Sequence, residues 1–172
     1  MINKSSIISK YSCEKHKQAH RFIDRDFYSC GYVQVFLSQL NVRLAGSSQY
    51  VNVKSTPHYI FVRNVLYGEA IVPINGYKDY KDYIKNHWHP CDEKKFIDLI
   101  YEIKEKGYDC DKSPILVYRT IRRIWPFDRY DVVDGFHRLA ILEAIGLRKI
   151  KVLRVKQRKN FFSRSLFRLK RF

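Results

Sequence analysis

Acid is what this sequence is short of. Against 33 Lys and Arg it carries only 17 Asp and Glu, a formal net charge of +16. An excess of that size disfavours basic partners and favours phosphate-rich ones, nucleic acid or anionic lipid. Proline and glycine are scarce as well, at 5 and 7 of 172 residues, and no repeat or low-complexity tract occurs, which excludes collagen-like and linker-dominated chains. No uncharged run approaches the roughly 18–20 residues that cross a bilayer, and MINKSSIISK has no apolar core of the kind a secretory leader needs. A cytoplasmic protein is the expectation. The four cysteines, Cys13, Cys30, Cys91 and Cys110, form no C-x-x-C pair, so zinc-ribbon and dithiol redox chemistry are not indicated and reduced thiols are expected. Cys13/His16/His20 and His87/His89/Cys91 have ligand-like spacing, but neither set has a fourth partner at recognisable distance.

What is present is a 45% hydrophobic composition, enough for the core of one ordinary domain. The charge is concentrated: from Arg148 to Phe172 there are eleven Lys or Arg and no acid. Residues 1–56 read as an N-terminal extension, with a helix as the candidate element, because Asp24 to Leu44 mixes helical and strand spacing. HYIFVRNVL, His58 to Leu66, is rich in β-branched and aromatic residues and predicts a strand. Tyr77 to Lys85 predicts a short helix with Tyr77, Tyr80 and Ile84 on one side. A second helix is predicted over Glu93 to Lys106, capped by Asp92, buried along Phe96, Leu99, Ile100 and Ile103, and stopped by Gly107. Ile115 to Ile121, Tyr130 to Val133 and Lys149 to Val155 predict strands, with a loop around Trp125-Pro126. The fold class is α/β, a mixed α+β domain over 57–155, followed by a basic amphipathic tail over 156–172.

The most informative stretch is YDVVDGFHRLAILEAIG, Tyr130 to Gly146. A strand runs through Asp-Gly into an apolar-periodic helix that ends on glycine. Asp134 can cap that helix, and Gly135 permits the tight turn. Cationic His137 and Arg138 in the first helical turn oppose the positive end of the helix dipole, a mild penalty that a bound anion would reverse. Arg138 could then hold phosphate bidentately while His137 donates a hydrogen bond and Asp134 orients them or holds a metal. The competing interpretation is structural, with Asp134 as a cap, Arg138 lying over the surface and His137 in the core.

The run V-D-G-F-H-R-L-A-I-L-E-A-I-G-L-R-K-I-K-V, Val133 to Val152, resembles the D-G-x-H-R-L signature of the ParB/sulfiredoxin-like superfamily. That superfamily includes the nucleotide-binding N-terminal domain of ParB partition proteins, sulfiredoxin and the free serine kinase. The resemblance spans Pro57 to Val155, and only its last third carries a specific motif. It implies nucleotide phosphates held by Asp134, Gly135, Phe136, His137 and Arg138, with ATP or ADP as the nucleotide, Mg2+ as cofactor and Asp134 as candidate metal ligand. Sulfiredoxin chemistry needs a cysteine where Phe136 stands, and a phenyl ring cannot replace a thiol nucleophile. Partition proteins continue into a helix-turn-helix region, whereas 17 residues follow Val155 here. The serine kinase resemblance implies a catalytic Glu69 in LYGEAIVPI, with His137 beside the phosphate, and so phosphotransfer to a small hydroxyl compound such as a cell-envelope glycan precursor. The alternatives are a non-catalytic nucleotide-dependent binding module and a DNA-binding or nuclease protein.

The tail, KQRKNFFSRSLFRLKRF, would as a helix oppose Phe162, Leu166 and Leu169 to Arg164, Arg168 and Arg171. That pattern predicts docking on an anionic inner membrane face through residues 156–172, with nucleic acid as second choice. The tyrosines and Trp88 could stack bases, though core packing is the commoner use of such rings.

Overall fold

A computed structural model describes residues 27–44, 47, 49–86, 93–120 and 129–157. The expected Asp92 cap, the Trp125-Pro126 loop, both Cys/His groups and the tail after Gln157 lie outside the described residues. Ten regular elements follow in order: β1 (Phe27–Phe36), β2 (Leu40–Arg43), β3 (Tyr50–Asn52), α1 (Pro57–Tyr67), α2 (Tyr80–Asn86), α3 (Glu93–Lys106), β4 (Leu116–Arg119), β5 (Tyr130–Asp134), α4 (Phe136–Ala144) and β6 (Lys149–Gln157). The six strands form one mixed sheet in the order β1-β6-β4-β5-β2-β3. Parallel pairing occurs between β4 and β6 and between β2 and β5, and the other neighbours are antiparallel. This is the mixed α/β class expected.

Alternation assigns the two sheet faces. Ile150 and Val152 of β6 join the main core with Val35, Leu40, Val42 and Val117, together with Phe61, Phe96, Ile100, Leu139 and Leu142 from the helices. Leu153 and Val155, one position out of phase with Val152, form a smaller cluster with Leu116. The helices therefore pack on one face only of the strands they cover.

Two expectations are corrected. Residues read as an N-terminal extension, with a helix as candidate, supply three strands instead, and β1 pairs with β6 along nearly its whole length. Their periodicity is obscured by a register shift between Ser29 and Tyr32, where Gly31 sits at φ +94°; one irregular residue moves the apolar set to the other face. Among the described residues the sheet thus includes three strands that precede Pro57.

The predicted strand His58–Leu66 is helix α1. Thr56 caps it by accepting a hydrogen bond from the Tyr59 N–H, Pro57 occupies its first turn, and Gly68 closes it in the left-handed region. His58, Phe61 and Val62 then fall on one buried side at spacings of three and four. Those end signals and that burial outweigh the β propensity of Ile60, Val62 and Val65. Helix α3 has the bounds expected, with Phe96, Ile100 and Ile103 buried, Leu99 half-buried, and the Gly107 N–H bonded to the Ile103 carbonyl. Helix α2 starts three residues later than Tyr77, which instead bridges Ile74.

Candidate functional site

The strand-turn-helix unit of the motif forms as a compact corner. β5 ends on Asp134, Gly135 turns the chain at φ +92°, and α4 begins at Phe136. A Cβ on Gly135 would lie 2.9 Å from Ile115 Cγ1, 3.0 Å from Ile115 Cα and 3.1 Å from Arg138 Nη2, so glycine is required by space as well as by backbone angle. The expected Asp134 cap does not form. Gly135 is itself the N-cap residue, and no side chain caps the helix. Because Asp134 is still part of the strand, its carboxylate turns to Arg138, with Nη2 3.2 Å from Oδ2. Nη1 of the same guanidinium donates to Ser113 Oγ just before β4. Arg138 is mostly buried, with a side-chain exposure of 16%, and Asp134 is half-buried. Both contacts together use two of the five N–H donors of a guanidinium.

His137 and Phe136 face different partners. The His137 ring Nε2 is 2.8 Å from the Tyr80 hydroxyl of α2, and the ring stands edge-on to Phe96 at 4.5 Å and to His58 at 4.9 Å. Phe136 stacks on His58 at 4.1 Å. The first turn of α4 is therefore braced from below by α1, α2 and α3 through aromatic rings. The sequence offered no signal for Ser113, Tyr80 or His58 as neighbours of the motif, because each comes from a separate element.

Close to the Asp134–Arg138 pair, burial favours the neutral form of two other groups. Burial pushes the Tyr108 phenol well above its ordinary value, partly offset by the Ile115 N–H that it accepts at 2.8 Å and by the charge of Arg138. Cys110 is free and buried, and burial raises its thiol too, which disfavours the nucleophilic thiolate.

Glu69 is not part of this group. Its carboxylate is paired with Arg63, through Nε at 2.9 Å and through Nη2, and that pairing holds its pKa below the ordinary value. Arg63 Nη1 in turn donates to the Ala144 carbonyl at the far end of α4. Helix α4 is nine residues long, so the structure sets Glu69 beside the opposite end of a helix about 13 Å long. Asp134 and Arg138 are brought together, whereas the His137 ring turns to Tyr80, His58 and Phe96, and Glu69 lies at the other end of α4.

Among the described residues no group of three or more His, Cys, Asp or Glu is placed to hold a metal ion, and Asp134 stands as a single carboxylate opposite Arg138. No described helix is long and apolar enough to cross a membrane. Comparison with protein-family models, with curated proteins and with solved structures found no match to this chain.

Proposed function

We propose that this chain is a phosphate-binding, and in the first place nucleotide-binding, domain of the ParB/sulfiredoxin-like type, with its ligand seated on the Asp134–Arg138 corner. The observation that carries the proposal is the uncapped start of α4, built on a glycine that tolerates no side chain and faced by a largely buried arginine with donors to spare. Helix-start N–H groups and a guanidinium together suit a tetrahedral anion better than any other common ligand. The strand, glycine turn and helix over Tyr130–Ala144 also agree with what the motif resemblance implies. Mg2+ fits as a companion ion only if phosphate oxygens complete its shell, since Asp134 supplies one carboxylate.

The position of Glu69 favours binding over transfer. A general base must come within hydrogen-bond reach of the hydroxyl it activates, and Glu69 is tied to Arg63 at the other end of α4. A nucleotide-dependent binding module is therefore the reading the geometry supports best. It is tested by titrating ADP, ATP and pyrophosphate, with and without Mg2+, into the wild type, Arg138→Ala and Glu69→Gln, following thermal stability and binding heat. Binding to the native state raises the midpoint. Arg138→Ala should lose about 1.5–3 kcal/mol of affinity, the range for a hydrogen bond to a charged group, and Glu69→Gln should match the wild type. Absence of binding by all three probes, or equal affinity in a folded Arg138→Ala protein, would overturn the proposal. Loss of binding in Glu69→Gln would return the carboxylate to the site.

A further inference from the structure

The sheet face opposite the helices carries a second feature, on β1 and β6. Phe36, on this edge of the sheet, is 44% exposed, and its ring lies 4.4 Å from the Lys149 ammonium. Four residues earlier on the same strand, the half-buried Tyr32 ring lies 4.5 Å from the Lys151 ammonium, which also pairs with Asp111 at 3.0 Å. The register places Phe36 against Lys149 and Gln34 against Lys151, so both ring-cation pairs belong to one ladder. They repeat in the same sense, rings on β1 and cations on β6, with the two rings about 13 Å apart along the strand.

We infer that this ladder is a stacking surface for single-stranded nucleic acid. A ring face and an ammonium side by side match the two repeating parts of a polynucleotide, the flat base and the phosphate. Base stacking would take the ring and release the lysine to a phosphate, so the cation loses no partner in the exchange. The net charge of +16 supplies long-range attraction for a polyanion. Duplex cannot use the rings, because its bases already stack on one another, and a lipid headgroup has no flat base to offer. Sheet faces that stack bases on exposed aromatic rings are a known mode of RNA recognition. The surface is separate from the phosphate corner at the end of β5 and does not depend on it.

The experiment is fluorescence anisotropy of the full chain with a labelled oligouridylate of about twelve nucleotides and with the matching duplex, across a salt series. Phe36→Ala should weaken single-strand binding roughly tenfold or more without changing duplex affinity, and Phe36→Trp should retain it. Lys149→Ala should reduce the logarithmic salt slope by about 0.7, one phosphate on a single strand. Circular dichroism of each variant confirms the fold, which an exposed edge position should leave intact. Three results would each overturn the inference: equal single-strand affinity in folded Phe36→Ala, duplex bound by the wild type as tightly as single strand, or Phe36 sensitivity seen only with phosphatidylserine vesicles. The last would mark the ladder as a membrane contact.

Discussion

Gly135→Ala should be among the most damaging single-methyl changes in this protein, and its cost can be built up in two parts. The first is backbone: an L-residue at positive φ costs about 1–2 kcal/mol. The second is space. The new Cβ would sit 2.9–3.0 Å from Ile115, and the nearest backbone atom there cannot move freely, because the Ile115 N–H bonds the Tyr108 hydroxyl and its carbonyl accepts from the Leu153 N–H. Overpacking against a fixed neighbour typically costs about 1–3 kcal/mol, for a total of roughly 2–5 kcal/mol and a fall in Tm of about 4–20 °C at this chain length. Gly146→Ala is the internal control. Gly146 has φ +82° but nothing within 4 Å of a built Cβ, so it should show the backbone part alone. Urea unfolding of the two variants, with the slopes checked for equality, separates the terms. Equal losses in both would refute the claim that Ile115 and Arg138 close over the turn.

Two further outcomes follow from the same contacts. Thr56 is fully buried, donates to the Val53 carbonyl at 2.6 Å and caps α1 through Tyr59, so Thr56→Ala should cost about 1–2 kcal/mol in urea unfolding and Thr56→Ser should recover most of it; identical stability of the two variants would dismiss the cap. Tyr118 is raised by burial and by its hydrogen bond to Tyr50, as Tyr108 is by burial, and a phenol whose folded pKa is raised contributes stability that is complete below its unfolded value near pH 10 and is lost as pH rises through the folded value. Alkaline absorbance titration should therefore find Tyr108 and Tyr118 still protonated above the ordinary phenol value, and loss of that retained phenol absorbance in Tyr108→Phe and Tyr118→Phe identifies them; ionisation of both at the ordinary value in the folded protein would contradict this.

How far the sequence discloses this fold depends on how local the determining physics is. Helix α3 is legible because every signal agrees: an apolar stripe at Phe96, Ile100 and Ile103, and a glycine stop at Gly107. The corner from β5 to α4 is legible for the same reason. Helix α1 is misread because Ile60, Val62 and Val65 speak for a strand while the Thr56-Pro57 start and Gly68 stop speak for a helix, and only burial of His58, Phe61 and Val62 together decides between them. Strand β1 is hidden by the irregularity at Gly31, and its reason for being extended is a pairing with β6 more than a hundred residues later. Neither fact can be obtained from a local window. The roles at the site divide likewise. Asp134, Gly135 and Arg138 are neighbours in sequence and can be read there, whereas Ser113 and Tyr80, which hold Arg138 and His137, arrive through the fold alone.

That division also explains why the structural and the functional interpretations of Arg138 need not exclude each other. Cations at a helix start are mildly unfavourable, and Asp134 relieves this for Arg138 by pairing with it from the end of β5. A phosphate at the same helix start would meet a guanidinium already oriented by a carboxylate and a hydroxyl, so little side-chain entropy remains to be lost on binding. It would also meet the negative charge of Asp134, whose repulsion opposes the gain from Arg138. The two effects share one geometry and have opposite signs. A divalent cation held by Asp134 would supply positive charge to offset that repulsion, and under the proposed reading Mg2+ is therefore expected to strengthen polyphosphate binding at this corner, although the described residues offer it only one carboxylate there.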